Sequence, residues 1–398
     1  MSAEVISKFV KNQVEGFSLD QIFYRDPDIY QRELDRIFMK SWLYTGHVSQ
    51  VPNIGDYFLY ELANESVIIT RANKDEIKAL INVCRHRGSR VCLKSSGQQK
   101  SFVCPYHGWV YKLDGSLLGA NRTPSSFDKS KYGLKQIQLK IFHGMIFINF
   151  DNEPVSFDPI EKDLDECLRP YGFENMKIAH KQNYPINANW KLAVENYCEC
   201  YHCIPAHPEY SVAHGLSLPE DKIADLRKQV MDKSEKVGLS RHCVSKEWLR
   251  SGGVGNNRGF SRYPLLKEFV TGSQDGKPVA PLLGNIKDYD GGTTDIQIGP
   301  VTFYLAYCDH IVVYHFKPLT IDTADCEITW LVNEKAEEGK DYKLDDLIWL
   351  WDVTTIADKR IIEDNQAGVN SRFYQPGPFT GMEDFERDFI DWYLDVIK

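Results

Sequence analysis

The segments CRHRGSRVC (residues 84–92) and CPYHGW (residues 104–109) place four metal-binding side chains at a fixed spacing. One residue separates Cys84 from His86, two residues separate Cys104 from His107, and seventeen residues lie between the two pairs. Thiolates and imidazoles together are ligands of zinc and of iron–sulfur clusters. The pattern therefore predicts a metal centre here, and the spacing bears on which metal it holds.

Three interpretations of these pairs remain open. Chance would make them buried cysteines and hydrogen-bonded histidines. Structural zinc accepts two thiolates and two imidazoles, but its usual motif pairs Cys with Cys and His with His. In a Rieske [2Fe–2S] centre, two Cys hold one iron and two His hold the other, and each pair here supplies one of each. Gly88 and Gly108 would provide tight loop turns. Cys92 lies outside the pattern and is expected to be a buried apolar residue.

Composition and charge restrict the class of protein. The 398 residues are 42% hydrophobic and 26% charged, as in a globular protein. The net charge of -9 argues against nucleic acid as a partner. The sequence shows no apolar run long enough for a membrane span and no secretion signal, so we expect a cytoplasmic protein. In that reducing compartment, the ten cysteines are expected to bind metal or to be buried.

The spacing of apolar residues changes along the chain. Residues 16–46 carry apolar positions at helical spacing, whereas residues 50–155 contain short apolar runs between Gly, Asn and Asp turns. Both Cys/His pairs fall in this β-rich part, and residues 151–159 have the composition of a linker.

Beyond residue 160 the pattern indicates mixed helices and strands. The predicted elements are a helix over 187–203, insertions and loops over 216–297, strands near 300–317 and 326–333, and a long helix near 343–368. Pro205 should end the first of these helices near Ile204.

The segment ENYCECYHCIPAHPEY (residues 195–210) is a candidate for a second metal site. Glu199 and His202 are three residues apart and would share a face of the predicted helix. His207 would reach back from the backbone that Pro205 breaks. Two histidines with one carboxylate leave positions open for O2 and substrate on a mononuclear iron. A cluster that moves single electrons would then have an acceptor within the protein.

The third ligand should be a carboxylate from a distant element. The helix WDVTTIADKRIIEDNQ (residues 351–366) offers Asp352, Asp358, Glu363 and Asp364. Most acids on such a helix are solvated, but Asp358 lies one turn from the apolar Ile361 and Ile362. Asp358 is therefore the acid expected to point inward.

The chain as a whole resembles the α-subunit of a Rieske non-haem iron oxygenase. NWKLAVENYCECYHCIPAHP (residues 189–208) is similar to the family segment N-W-K-x-x-x-E-N-x-x-[D/E]-x-Y-H-x4-H. The resemblance implies an α+β fold: an N-terminal helical segment (1–46) packing on the catalytic domain, an all-β Rieske domain (47–157), and a catalytic domain (158–398) with an antiparallel sheet covered by helices.

The same resemblance assigns the site residues. It implies a [2Fe–2S] cluster on Cys84, His86, Cys104 and His107, and a mononuclear Fe(II) on His202, His207 and Asp358. Glu363 and Gln366 match the residues that follow the family's aspartate ligand, which favours Asp358 over Asp352. Glu199 and Asn196 are implied to take part in catalysis.

Glu199 also points to a branch of the family. Most ring-hydroxylating members carry Asp at this position, whereas Glu in the string ECYHC resembles the branch that acts on choline, glycine betaine, carnitine and stachydrine. The segments GFSLDQIFYRDPDIY (16–30), NQAGVNSRFYQPGPFT (365–380) and DWYLDVI (391–397) resemble that branch as well.

This branch implies a monooxygenase that hydroxylates a quaternary-ammonium compound, by N-demethylation of a betaine or by oxidation of a choline- or carnitine-like substrate. The chain has no G-x-G-x-x-G motif, so electrons should come from a separate NAD(P)H-dependent flavin/iron–sulfur reductase. The family also implies a homotrimer, with Glu199 between the cluster of one subunit and the iron of its neighbour. The alternatives are an aromatic-ring hydroxylating α-subunit and a zinc-structured binding protein.

A quaternary ammonium has no N–H to donate, so aromatic faces are the expected way to hold it. The candidate aromatic residues are Tyr197, Phe303, Tyr304, Tyr307 and Phe316, each of which could equally be a core residue. Substrates of this branch often carry a carboxylate, and His310 is a candidate to meet it.

Overall fold

The chain forms two units in the computed structural model of the protein, which describes residues 2–214, 218–240, 254–266 and 268–398. The small unit is Thr45–Pro154, and the large unit joins Met1–Tyr44 to Val155–Lys398. The family resemblance predicts a Rieske domain over residues 47–157, with residues 1–46 packing on the catalytic domain.

The small unit is built from short strands separated by turns. Its strands are β1 (Leu43–His47), β2 (Asp56–Leu62), β3 (Glu65–Arg71), β4 (Ile77–Ile81), β5 (Ser96–Gln98), β6 (Phe102–Val103), β7 (Val110–Tyr111), β8 (Leu117–Gly119), β9 (Gln138–Phe142) and β10 (Met145–Asn149). They form sheets in the orders β4–β3–β2–β5, β6–β7–β8 and β1–β10–β9. The other elements described in this unit are two 3₁₀ turns, Val48–Gln50 and Lys129–Tyr132.

The core of the small unit receives both metal-binding cysteines. Ile68, Leu80 and Phe102 from the sheets pack in one buried cluster with Cys84 and Cys104. Burying these apolar side chains stabilises the strands by about 1.5–3 kcal/mol each. The same packing fixes the two thiols beneath the loops that follow β4 and β6.

The large unit combines helices with one six-stranded sheet. Its helices are α1 (Ala3–Asn12), α2 (Ile22–Arg25), α3 (Pro27–Glu33), α4 (Asp158–Leu168), α5 (Trp190–Cys198), α6 (Cys203–Ala206), α7 (Pro208–His214), α8 (Glu220–Val237), α9 (Leu344–Val369) and α10 (Asp384–Ile397). Its strands are β11 (Met176–Ile186), β12 (Arg258–Pro264), β13 (Gly292–Ile298), β14 (Thr302–Ala306), β15 (Ile311–Thr320) and β16 (Thr323–Asn333).

The sheet is antiparallel throughout, in the order β11–β16–β15–β14–β13–β12. The run IVVYHF at the start of β15 is buried at every position rather than alternating. Central strands of a covered sheet show this pattern because neither face meets water. Helices α5 and α9 contact this sheet, and both carry candidate site residues. The predicted α+β class, with a β-rich first domain and an antiparallel catalytic sheet, is confirmed.

Three local predictions need correction. The region 216–297, expected to be loops, contains helix α8 and strands β12 and β13, while its residues 241–253 lie outside the described ranges. The apolar run 300–317 is a hairpin of β14 and β15 rather than one strand. The helix expected over 187–203 ends at Cys198 and resumes at Cys203.

One buried acid ties the N-terminal segment to the rest of the large unit. Glu33, at the end of α3, is fully buried and accepts hydrogen bonds from Trp190 Nε1 (2.8 Å), Lys191 Nζ (2.6 Å) and Tyr393 OH (2.5 Å). These donors lie on α5 and α10. In the described ranges, no helix is long and apolar enough to cross a bilayer.

Candidate metal centres and substrate cavity

The two Cys/His loops of the small unit share one backbone design. Gly88 and Gly108 both adopt left-handed φ angles, +82° and +69°, and each donates its N–H to the carbonyl of the cysteine four residues earlier. A Cβ atom at either glycine would meet no atom within 4 Å, so conformation rather than space requires glycine. The loops thus turn tightly enough to present a histidine after each cysteine.

The cysteines and the histidines of these loops differ in burial. Cys84 and Cys104 are buried, with 3% and 2% exposure, whereas His86 and His107 are exposed. The two imidazoles direct Nδ1 toward each other at 3.2 Å, and the Trp109 ring stacks on His86 with ring centroids 4.9 Å apart. Two thiols inside and two converging imidazole nitrogens outside fit a cluster with one sulfur-ligated and one histidine-ligated iron.

Neighbouring residues support that arrangement. The hydroxyl of Tyr111 lies 3.2 Å from Cys84 Sγ and accepts a hydrogen bond from the Arg85 N–H at 3.0 Å. Hydrogen bonds to ligand sulfurs tune the reduction potential of such clusters. Cys92 is buried in the same core cluster, and burial raises the pKa of its thiol to about 12. The structure therefore places Cys92 as a core residue, as the motif spacing indicates.

In the large unit, two histidines and one aspartate converge. Oδ1 of Asp358 lies 3.2 Å from Nε2 of His202 and 3.1 Å from Nε2 of His207. Two ligand atoms at right angles around a metal, with bonds of about 2.1 Å, are about 3 Å apart. The Asp358 oxygen thus lies at the spacing of neighbouring octahedral positions from each imidazole nitrogen, and two His with one carboxylate are the donor set that non-haem Fe(II) oxygenases use.

The charges around His202, His207 and Asp358 favour a bound cation. Burial would lower the pKa of His202, but hydrogen bonds to Asp358 and Glu199 raise it to about 10. Burial opposes ionisation of Asp358, yet the hydrogen bonds with His202 and His207 hold the pKa of its carboxyl group below the ordinary value. Two carboxylates thus surround a pair of imidazoles, which suits a bound divalent metal.

A broken helix positions His202. Glu199 has extended backbone angles, φ −133° and ψ 157°, so α5 ends before it and the two residues do not share a helical face as predicted. Instead, Glu199 Oε2 accepts the backbone N–H groups of Tyr201 and His202, and Glu199 Oε1 accepts a hydrogen bond from His202 Nδ1. The Glu199 carboxylate satisfies the N–H groups of the turn, and the turn aims Nε2 of His202 at Asp358.

The other acids of α9 face elsewhere. Asp352 accepts a hydrogen bond from Tyr184 OH at 2.6 Å, and Glu363 accepts one from the Asn187 N–H at 2.8 Å. Both acids therefore join α9 to the β11 region and not to the histidines. Asp358 is the acid of this helix that the structure brings to His202 and His207.

Two further side chains approach Nε2 of His202. Nδ2 of Asn196 lies 3.3 Å from it, and Sγ of Cys203 lies 3.9 Å from it. Among the described residues, the Cys203 thiol groups with both imidazoles within 4.8 Å. No motif predicts a thiol at this place, since Cys203 only lies between the two histidines in the chain.

A cavity of about 100 Å³ adjoins the three ligand atoms. Besides the metal-binding residues, its walls include Asn196, Tyr197, Cys200, Tyr210, Asp295, Leu305, Tyr314, Trp351 and Thr354. Cavities for drug-sized ligands usually measure about 300–1,000 Å³, so this one suits a small molecule. Four aromatic rings and the carboxylates of Glu199 and Asp295 dominate the rest of the wall.

The predicted aromatic residues lie at different distances from this cavity. Tyr197 is part of the wall, and Phe303 stacks behind it with ring centroids 4.2 Å apart, while Phe316 lies 5.9 Å from Tyr197. Tyr304 packs against Tyr44 at 5.8 Å, on the opposite face of β14 from Phe303.

Tyr307 and His310 lie outside the described wall. The hydroxyl of Tyr307 lies 3.0 Å from Nε2 of His214. His310 stacks on Tyr307 with ring centroids 4.7 Å apart, and its Nδ1 contacts Asp309 at 2.8 Å. These two residues support the loop between β14 and β15.

Wall residues that the sequence analysis missed follow from periodicity. Trp351 and Thr354 precede Asp358 by seven and four residues on α9, so they share its helical face. Asp295 of β13 pairs directly with Leu305 of β14, and directly paired residues share a face of the sheet. The helical positions were accessible from spacing, whereas Asp295 required the strand register.

Comparison with known families identifies both units. Residues 41–138 match the model of the Rieske [2Fe-2S] domain, and residues 173–398 match the model of the ring hydroxylating alpha subunit catalytic domain. A domain of the first kind binds a [2Fe–2S] cluster, and a catalytic domain of the second kind binds a mononuclear iron.

Individual relatives point to the same group. The chain is 35% identical over 385 residues to the glycine betaine monooxygenase oxygenase subunit of Chromohalobacter salexigens, covering 96% of this chain and 86% of that one. It is 35% identical over 211 residues to the carnitine monooxygenase oxygenase subunit of Escherichia coli K12, covering 51% and 55%.

A solved structure shares the fold. It is a quaternary ammonium Rieske monooxygenase, described for carnitine oxidation by gut microbiota and for inter-subunit electron transfer. The TM-score is 0.74 at 24% identity, over 98% of this chain and 97% of that one. At this identity the likeness concerns the fold alone.

Proposed function

This chain belongs to the Rieske oxygenase α-subunits, and from that membership we propose that it hydroxylates a small quaternary-ammonium compound, with glycine betaine the first candidate. Such a subunit needs a reductase partner, because it carries no electron source of its own. The proposal concerns the substrate and the roles of individual residues.

The small cavity beside His202, His207 and Asp358 is the observation that carries the substrate proposal. Its volume of about 100 Å³ suits a trimethylammonium group better than a fused aromatic ring system. Tyr197, Tyr210, Tyr314 and Trp351 contribute aromatic faces to its wall. A cation over such a face gains about 0.5–2 kcal/mol per ring, depending on how far it is desolvated.

Asp295 strengthens the preference for a cation. Its carboxylate lies on the wall of the same cavity, on the strand that pairs with β14. A carboxylate on the wall attracts a cationic ligand and offers no such attraction to a neutral arene. A quaternary ammonium carries the charge that this carboxylate attracts and needs no hydrogen-bond acceptor.

We assign the metals to the converging side chains. Cys84, His86, Cys104 and His107 would hold the cluster, and His202, His207 and Asp358 would hold the iron. When bound, these groups supply single electrons and O2 activation, which place a hydroxyl on a C–H carbon of the substrate. A hydroxylated N-methyl group releases formaldehyde and leaves the demethylated amine.

The remaining residues of the site orient the metal ligands and shield the substrate from water. Glu199 holds Nδ1 of His202, which fixes the ring and leaves Nε2 for the metal. Asn196 lies 3.3 Å from that nitrogen and lines the cavity, so it can meet a ligand there. The aromatic wall keeps water from the reacting carbon.

We also propose that the reductase is an NAD(P)H-dependent flavin/iron–sulfur protein and that the oxygenase is a homotrimer. The solved relative described with inter-subunit electron transfer supports electron transfer between subunits. A heterologous interface that closes after three subunits gives such a ring. Glu199, beside His202, would lie on the route of the electron.

The experiment is a substrate panel with purified oxygenase, a competent reductase, NADH and O2. Glycine betaine, carnitine, choline and stachydrine should be compared with benzoate and naphthalene. We expect formaldehyde or an aldehyde from one ammonium compound, in proportion to the O2 consumed, and no product from either arene. A cis-diol from an arene, with no turnover of any ammonium compound, would reject the proposed substrate class.

A further inference from the structure

Two further cavities of the large unit follow the substrate cavity in a series of neighbours. The acid cavity, about 260 Å³, shares Asn196, Glu199 and His202 with the substrate cavity. The outer cavity, about 280 Å³, shares five wall residues with the acid cavity: Leu192, Glu195, Asn365, Glu383 and Glu386. Because each cavity shares wall residues with the next, the three are neighbours in a series that leads away from His202.

Each of these two cavities can hold water. One water molecule needs only about 10–15 Å³ of such space, provided that polar groups are present to bind it. The acid cavity offers the carboxyl groups of Glu195, Glu199, Glu383 and Glu386. A chain of waters could therefore link the Glu195 and Glu386 carboxyl groups to the side of the metal site at Glu199.

Glu386 is a buried acid for which the packing of the fold gives no structural role. It lies on α10, is 8% exposed, and lines both the acid cavity and the outer cavity. Within the described ranges, its carboxyl group makes no hydrogen bond. A buried carboxyl group is normally hydrogen-bonded, so one that faces a cavity without a protein partner indicates a group that exchanges hydrogen bonds with water.

Glu195 is its counterpart across the cavity. It lies on α5, is 6% exposed, and is hydrogen-bonded by the Tyr24 hydroxyl, which lies 3.1 Å and 3.0 Å from its two oxygens. The proposed iron site already has its two imidazoles and one carboxylate in His202, His207 and Asp358, so neither Glu195 nor Glu386 is needed to hold iron.

We propose that Glu195 and Glu386 form a proton relay that carries protons from the outer cavity, through water in the acid cavity, to the metal site. The inference rests on the proposed function, because hydroxylation by O2 consumes protons. One substrate C–H, one O2, two electrons and two protons give one C–OH and one water. The reductase supplies the electrons, and the relay supplies the protons from solvent.

The charges around the pair favour a shared proton. Burial, together with the nearby Glu195, Glu199 and Glu383, raises the pKa of Glu386 to about 10. Burial raises the pKa of Glu195 to about 7, against the lowering effect of the Tyr24 hydrogen bond and the Lys191 charge. The other ionisable groups that face the pair are Glu33, His202, Tyr374 and Tyr393.

The titration has a definite direction. Glu386 keeps its proton through neutral pH, while Glu195 loses its proton as the pH rises through about 7. Once Glu386 has passed its proton through water toward the metal site, Glu195 is the stronger acid of the pair and can return a proton to the Glu386 carboxylate. Solvent in the outer cavity then restores the proton on Glu195.

A bound metal ion is a weaker explanation of the same acids. Ligand atoms of one metal must lie close together, and the described groups that meet this condition include His202, Cys203 and His207 but none of these four glutamates. The carboxyl groups line cavities that can hold water and do not converge on one metal position.

The first test is single turnover. Pre-reduced enzyme with both iron centres is mixed with O2 and substrate, and product and peroxide are measured in H2O and in D2O. Glu386→Gln should slow product formation at least about tenfold, release more peroxide and enlarge the solvent isotope effect, while substrate affinity stays unchanged. Glu386→Asp should recover most of the rate, because water can bridge the missing methylene.

The control is Asp391→Asn, on the same helix. Asp391 is exposed and lines neither cavity, so this variant makes the same carboxyl-to-amide change without touching the route. It should keep the wild-type rate and isotope effect. Wild-type rates and isotope effects in both Glu386→Gln and Glu195→Gln would overturn the proposal.

The second test does not depend on turnover. Infrared difference spectra of the purified protein should show a protonated carboxyl band that titrates near pH 7 in the wild type and is altered in Glu195→Gln and Glu386→Gln. Absence of any such band above pH 6 would also overturn the proposal. If the band behaves as expected but no ammonium compound is hydroxylated, the proposed substrate fails and the relay stands.

Discussion

Glu199 accepts a hydrogen bond from Nδ1 of His202, the imidazole whose Nε2 lies 3.2 Å from Asp358. The same carboxylate accepts the N–H groups of the turn that follows α5. One side chain therefore fixes the backbone, the ring orientation and the tautomer of a metal-binding histidine. Such outer carboxylates raise the basicity of the ligand that they hold.

Glu199→Gln should keep both iron centres but lose most turnover, about 10–100-fold. The amide can still accept a hydrogen bond from His202, so the fold is retained, but it carries no charge toward the imidazole. Iron content, the visible spectrum and rapid reduction of the cluster should be measured beside activity. Full activity of this variant would remove the role that we assign to the carboxylate.

The proposed trimer gives this variant a companion experiment. Subunits with Cys84→Ser lack a working cluster, and subunits with Asp358→Ala lack iron. If electrons cross between subunits, mixed trimers should regain activity that neither parent has. No recovery, although mass spectrometry shows mixed trimers, would indicate that electrons travel within one chain.

The cluster assignment predicts a contrast between two buried cysteines. Cys84→Ser should abolish the visible absorption and the paramagnetic signal of the reduced state, because Cys84 sits under the histidine pair with Tyr111 against its sulfur. Cys92→Ser should keep both signals and cost only stability, about 1–3 kcal/mol for a buried hydroxyl without a good partner. Loss of the cluster in the Cys92 variant alone would contradict the assignment.

The iron assignment predicts a contrast between two acids on one helix. Asp358→Asn should lose mononuclear iron and turnover while the cluster spectrum remains, since its Oδ1 is the oxygen that meets both imidazoles. Asp352→Asn should keep iron, because its contacts are to Tyr184 and Gln182. Metal analysis after desalting distinguishes the two, and exchanged outcomes would make Asp352 the ligand.

The metal ligands could be predicted from the sequence more completely than the residues of the substrate cavity, for a physical reason. Cys84, His86, Cys104 and His107 lie in two short loops, so their spacing alone limits what they can bind. Asp358 is remote in sequence, but the apolar face of its helix indicated that it points inward.

The cavity wall depends on relationships that spacing does not contain. Asp295 and Leu305 meet only because β13 and β14 pair in one register. Tyr210 reaches the cavity because the chain breaks at Glu199 and resumes helically at Cys203, which no local pattern required. Tyr304 was expected in the wall, yet it is the neighbour of Phe303 on a strand and so faces the other way.

Asp295 offers a test of charge recognition in which a neutral analogue of the substrate is the control. Asp295→Asn should weaken binding of a trimethylammonium substrate about tenfold, equivalent to about 1.4 kcal/mol. Binding of a neutral isostere, in which carbon replaces the ammonium nitrogen, should be unchanged or improved. Equal losses for both ligands would mean that Asp295 shapes the cavity and does not recognise charge.

The last prediction concerns the buried pair that joins the N-terminal segment to α5. Lys191 and Glu33 are fully buried, and Lys191 Nζ also lies 5.5 Å, 5.3 Å and 5.2 Å from the ring centroids of Tyr24, Trp190 and Tyr393. Burial lowers the pKa of Lys191, and the nearby Glu33 opposes that shift. Removing one partner leaves the other charge buried, which costs about 3–5 kcal/mol.

Glu33→Gln should therefore lower the free energy of unfolding by that amount, as measured by denaturant titration of the helical signal. Glu4→Gln is the matched control, because Glu4 pairs with Lys8 at 3.7 Å on the exposed face of α1, where such pairs contribute about 0–1 kcal/mol. The double variant Glu33→Gln/Lys191→Met removes both charges and should recover much of the loss. A double variant less stable than Glu33→Gln would mean that Lys191 stabilises the fold through its three aromatic neighbours and not through Glu33.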